Sequence, residues 1–189
     1  MTDSTDPLAK IEAQLQNREA SQGLPPVEKW NPALSGDMDL LIKRDGSWIH
    51  EGTPILRKEL VHLFSTILKR EGDEYFLVTP VEKFRIRVED APFLAVAVHP
   101  REVDGEPLLE FETLVGDKVV ADGEHPIRVD VDNVSGEPSP YILVRCNLEA
   151  LIARSVFYQL VDMAQTEQGA DGEQLVLNSA GSKFVLGKI

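Results

Sequence analysis

Ile55-Leu56-Arg57-Lys58-Glu59-Leu60-Val61-His62-Leu63-Phe64-Ser65-Thr66-Ile67 decides the fold, because its pattern occurs twice in the chain. Ile55-Leu56, Leu60-Val61, Phe64 and Ile67 have counterparts 96 positions later in Leu151-Ile152, Val156-Phe157, Leu160 and Met163. Apolar residues at these spacings mark one face of an amphipathic helix. Each helical pattern leads into strand patterns: Phe76-Leu77-Val78 and then Lys83-Phe84, later Gln174-Leu175-Val176 and then Lys183-Phe184. The offset grows from 96 to 98 to 100, the drift produced when short loops absorb insertions. The reading is two related halves packed side by side with a groove between them.

Around the first copy, Thr53-Pro54 is expected to open the helix, with Leu56, Leu60, Val61, Phe64, Ile67 and Leu68 as its apolar stripe. Phe64 should face the core, and Lys58 and Lys69 the solvent. Upstream, Met38, Leu40 and Ile42 alternate with Asp39, Leu41 and Lys43 as a half-buried strand. Asp45-Gly46 is a hairpin turn, since both residues tolerate positive φ. The next strand, 47–51, puts Trp48 and His50 on one face. Downstream, Tyr75 to Val78 and Phe84-Ile86-Val88 are strands on either side of Thr79-Pro80. Residues 36–90 therefore read as a ββαββ unit.

Before that unit, residues 1–35 read as a short helix and a linker. Asp6-Pro7 is a cap and first-turn proline, and Leu8, Ile11 and Leu15 form a stripe. Pro25-Pro26 begins the linker, which Trp30 should anchor on the protein body. Residues 91–189 form the second unit with extra strands: Phe93 to Val98, a hairpin about Gly116-Asp117, Ile127 to Val131, and Tyr141 to Arg145. Asn147 should cap a helix running to about residue 165, before a final strand pair. The predicted class is α+β: two related ββαββ-like halves, mainly antiparallel sheets each covered by one helix, plus an N-terminal helix.

Composition narrows the function by exclusion. The 189 residues carry 32 acidic and 19 basic side chains, a net charge of −13, which disfavours nucleic acid and anionic membranes as partners. The single cysteine, Cys146, rules out an intrachain disulfide, and no basic segment leads into an apolar run near the N-terminus. Cytoplasmic localisation is expected. Asn178 to Lys183 lacks the first glycine of a phosphate loop and reads as a hairpin turn. His50, His62, His99 and His125 lack metal-ligand spacing, and Asp130 to Glu137 fits an acidic turn better than a calcium loop. Neither a metal nor a cofactor is expected. Cys146 reads as a packing residue, with a nucleophile at a helix N-terminus as the alternative.

Two polar clusters remain: Asp45, Trp48, His50, Glu51 and Arg57, and Thr79-Pro80-Val81-Glu82-Lys83 with Arg85. An aromatic, a histidine and nearby cations suit an anion with an apolar body. The same stretches carry a family resemblance. Gly36-Asp37-x-Asp39, Asp45-Gly46-x-Trp48-x-His50-x-Gly52-x-Pro54-Ile55-x-Arg57, Tyr75-x-Leu77-Val78-Thr79-Pro80-Val81-Glu82-Lys83, and Pro140-Tyr141 leading to Arg145 resemble the bacterial family called domain of unknown function 1285. The resemblance covers roughly residues 25–189. It implies two α+β halves with repeated motifs and supplies no activity. Carried onto this chain, it places a shared ligand site at Trp48, His50, Arg57, Glu82 and Lys83. The expected function is a small-molecule, anionic-ligand binding or regulatory protein with a signal-transduction role. One alternative is a hydrolase using His50 with Glu51 or Glu82, and the other is a protein-interaction module. Expected partners are thus a small anion or a protein.

Overall fold

The alternation at Met38, Leu40 and Ile42 becomes strand β1 (Gly36–Ile42), which buries those three side chains and leaves Asp37 and Asp39 exposed. The structure is a computed structural model that describes residues 6–16 and 23–189. It divides the chain into two units, Met1–Glu89 and Asp90–Ile189.

In the first unit, β1 turns through Asp45-Gly46 into β2 (Trp48–His50); Gly46 has φ +84° and Lys43 N–H donates to Ser47 O at 2.9 Å. A second tight turn follows, with Glu51 and Gly52 both at positive φ, 48° and 76°. Consecutive left-handed residues reverse a chain between adjacent strands. Thr53–Pro54 therefore falls into register with His50 and Ile49 as a short β3. This corrects the expected helix start, since Thr53-Pro54 extends a sheet. Helix α2 spans only Lys58–Ser65, and Leu56 is 86% exposed instead of lying on its apolar stripe. Phe64 is fully buried, as its place in the stripe requires. Ser65 Oγ and Thr66 Oγ1 donate to His62 O and Leu63 O at the helix end.

The chain then forms β4 (Leu68–Glu71), β5 (Glu74–Val78) and β6 (Lys83–Val88). The sheet order is β3-β2-β1-β6-β5-β4, with β1 and β6 parallel and every other neighbouring pair antiparallel. Two three-stranded meanders thus meet at a parallel seam, and α2 lies in the crossover between them. Each side of the helix carries one strand more than the ββαββ reading had.

The second unit contains β7 (Phe93–Val103), β8 (Glu106–Thr113), β9 (Lys118–Val120), β10 (Ile127–Val131), β11 (Pro138–Arg145) and β12 (Leu148–Ile152) in one sheet, ordered β10-β11-β12-β7-β8-β9. Helix α3 (Arg154–Met163) follows, then a second sheet of β13 (Gln165–Gly169), β14 (Gly172–Ser179) and β15 (Ser182–Lys188). Asn147 does not cap the helix. It lies in the turn between β11 and β12, where Cys146 has φ +49°, and the run Leu148–Ile152 is a strand paired on both sides. A short apolar run bounded by turns is ambiguous between strand and helix. Helix α3 buries Val156, Phe157 and Leu160 and rests against β7 and β14.

The repeat has a definite extent. Helix α3 stands between the meanders β10-β11-β12 and β13-β14-β15, as α2 stands between β1-β2-β3 and β4-β5-β6. Strand β10 lies against β15, in the place of the β1–β6 seam. Phe84 and Phe184 are both buried. The ion pair beside them is repeated too: Lys83 Nζ donates to Glu71 Oε2 at 2.5 Å, and Lys183 Nζ to Glu167 Oε2 at 2.6 Å. The meander β7-β8-β9 is the addition of the second unit.

Candidate functional site

The pleat of the first sheet sorts the expected site residues. Ile42 pairs with Trp48 and Leu40 with His50, so both side chains share the buried face of β1. Trp48 is 2% exposed and belongs to the core. On β6, Phe84 and Ile86 are buried, while Lys83, Arg85 and Arg87 point to the other face. Arg85 and Arg87 there reach Asp37 and Asp39 on β1. The sheet thus separates Lys83 from Trp48 and His50.

His50, Arg57 and Glu82 are each reached from the segment of helix α1 (Pro7–Gln16), which lies against α2 and buries Leu8, Ile11 and Leu15. Asp6 caps this helix, its Oδ1 accepting from Leu8 N–H at 3.0 Å. The same carboxylate oxygen stands 3.6 Å from His50 Nε2. Glu12 Oε1 accepts from Arg57 Nη2 at 2.9 Å, and Gln14 Nε2 donates to Glu82 Oε2 at 3.2 Å. Arg57 itself occupies the position preceding α2, and its side chain is 65% exposed. Neither Glu51 nor Glu82 is the acid beside His50; that acid is Asp6. The acidic positions of α1 escaped the sequence reading, although the cap signal at Asp6 was visible.

Lys83 belongs to a separate cluster on the opposite face. Its ammonium lies 4.4 Å from the centre of the Phe76 ring and donates to Glu71. That bond, more than any other influence, holds the Glu71 carboxyl below its ordinary range. Lys69, expected in solvent, is 5% exposed and corrects that expectation. Its ammonium donates to Trp30 O at 3.0 Å and Asn31 Oδ1 at 2.9 Å, and lies 3.4 Å from Glu71. Strand β4 begins at Leu68, so Lys69 follows a sheet pleat, where a helix would have turned it outward.

In the second unit, the motif residues Tyr141 and Arg145 hold the sheet together. Tyr141 Oη donates to Asp90 Oδ1 at 2.7 Å, and the Arg128 guanidinium lies 4.3 Å from the Tyr141 ring centre. Arg128 is also clamped by Glu149 through two hydrogen bonds. Arg145 lies 4.8 Å from the Phe93 ring centre and pairs with Asp117 at 2.9 Å. Cys146 is exposed in a hairpin turn, away from the helix N-terminus that would activate a thiol. Asp132 accepts from Ser135 and Val134 within its own turn. Among the described residues, no three histidine, cysteine or carboxylate side chains are grouped to hold a metal, and no helix is long and apolar enough to cross a membrane.

Two mixed α+β units, one carrying a charged surface covered by a short amphipathic helix, define the structural class. The chain belongs to the DUF1285 family: the model of its N-terminal domain, a domain of unknown function, matches residues 25–91, and that of its C-terminal domain matches residues 92–186. The crystal structure of a DUF1285 family protein from Silicibacter pomeroyi DSS-3 is 47% identical, covers 95% of each chain and gives a TM-score of 0.84. One from Shewanella baltica OS155 is 30% identical, covers 66% of this chain and 91% of its own, with a TM-score of 0.52. No curated protein matches the chain.

Proposed function

We propose that the protein is a non-catalytic binding and regulatory protein that accepts an anionic ligand at the surface formed by His50, Arg57 and Glu82. One observation carries this reading: the carboxylates of α1, Asp6 and Glu12, stand against His50 and Arg57. The chain's own anions occupy the positions where a ligand's would bind. Arginine suits this role because its planar donors match a carboxylate or phosphate. Trp48 supports the site from the core, and Lys83 steadies the sheet beneath it. A hydrolase using His50 with a carboxylate is the second reading, in which Asp6, 3.6 Å from Nε2, would have to close to hydrogen-bond distance to orient the ring as a general base.

The test is a thermal-shift screen with carboxylated and phosphorylated metabolites. A ligand selective for the native state at a hundred times its Kd should stabilise it by about 2.7 kcal/mol. That gain should disappear in Arg57→Ala while the unliganded melting temperature stays nearly unchanged, as expected for an exposed side chain. Stabilisation that survives in Arg57→Ala would place the anion elsewhere.

A further inference from the structure

Resting on the anionic-ligand reading, we infer that the ligand is an amphipathic helix of a partner protein bearing carboxylates, and that α1 is its built-in competitor. The spacing of the polar contacts is the first reason. Asp6, Glu12 and Gln14 reach His50, Arg57 and Glu82 from positions spread along α1. At 1.5 Å rise per residue, Asp6 and Gln14 stand about 12 Å apart along the helix axis. One small anion cannot bridge that span, whereas a helix does so with successive turns.

The second reason is the apolar stripe between those contacts. Leu8, Ile11 and Leu15 are buried at spacings of three and four, the pattern of a helix laid in a groove. The ten-residue length of α1 is the third. Helices this short are marginal alone in water, so α1 holds its shape by docking and can be exchanged. Finally, the residues that α1 contacts, His50, Arg57 and Glu82, lie inside the matched family domain, which begins at residue 25, and α1 itself lies before it. A fitting partner carries apolar residues at i, i+3 and i+7, a carboxylate at i−2 and another at i+4.

The experiment uses full-length protein and a fluorescein-labelled peptide of residues 6–16, read by fluorescence anisotropy. Ile11→Asp in the protein should eject its own α1 and tighten peptide binding on the order of tenfold or more, because apparent affinity scales with the fraction of open groove. Adding Arg57→Glu to that variant should weaken binding by a similar factor. Should Ile11→Asp fail to melt cooperatively, the Asp6→Asn, Glu12→Gln variant takes its place, with the apolar stripe intact. A peptide that binds neither folded variant, or binds both without regard to Arg57, overturns the inference. A wild-type protein that sediments as a dimer by exchanging α1 replaces the partner with a second copy and also overturns it. If small anions stabilise the protein through Arg57 while the peptide never binds, the helix partner falls and the anionic-ligand reading stands.

Discussion

Lys69 shows how one residue can reverse role with its element. On a helix it would have pointed to solvent; on β4 it is buried and spends its ammonium on Trp30 O, Asn31 and Glu71. Lys69→Met should therefore destabilise the protein by about 1–3 kcal/mol, the cost of leaving buried acceptors unpaired. Chemical denaturation would measure this, and a neutral result would mean the three bonds add nothing. Its neighbour Glu71 gives a pH signature. Hydrogen bonding from Lys83 lowers its folded pKa below the ordinary 4.5. A depressed carboxylate contributes stability that is present above the unfolded value and lost as pH falls through the folded one. Acid titration of stability below about pH 4.5 should thus be shallower in Glu71→Gln than in the wild type, with the curves differing most above that range. Phe64 was legible from pattern alone because the core fixes it, whereas Trp48, expected to line a ligand site, is a core residue. The partners of Arg57 and His50 were not legible, since they lie more than 40 residues away in sequence on a helix whose polar face has no periodic signature.

At the scale of elements, alternation and turn chemistry were readable wherever one face is buried. β1, the Asp45-Gly46 turn and β6 follow directly from Met38, Leu40, Ile42 and from Phe84, Ile86. The errors have a common cause. Leu148–Ile152 and Ile67-Leu68 are apolar runs beside genuine helices, and periodicity alone could not stop the helix short of them. The polar edge strand Gln165–Gly169 has no alternation to read, and it is a third strand beside the expected final pair. It exists because Thr166 and Glu167 pair with Leu175 and Gln174 on β14. Backbone pairing, which sequence shows only indirectly, made the decision.

For the whole molecule, the repeat is the organising fact. Its copies lie in different units, and each helix stands between two three-stranded meanders. The second unit closes its ladders within residues 90–189, and its Ala91, Leu94, Tyr141 and Leu151 cluster comes from the same stretch. A fragment of residues 90–189 should consequently fold alone and melt in one cooperative transition by circular dichroism. A fragment without such a transition would show that its core is incomplete.

The first sheet has two free margins, and each is blunted. Such margins invite a neighbouring chain to add a strand, which is how sheets aggregate. β3 is two residues long and ends in Pro54, which has no N–H to offer a newcomer. On the other side, the 3-10 turn Val27–Lys29 lies against β4, and the Lys69 bonds to Trp30 and Asn31 hold that segment in place. The buried ammonium is therefore an edge guard as well as a structural tie: loosening it would free the segment that covers the β4 margin.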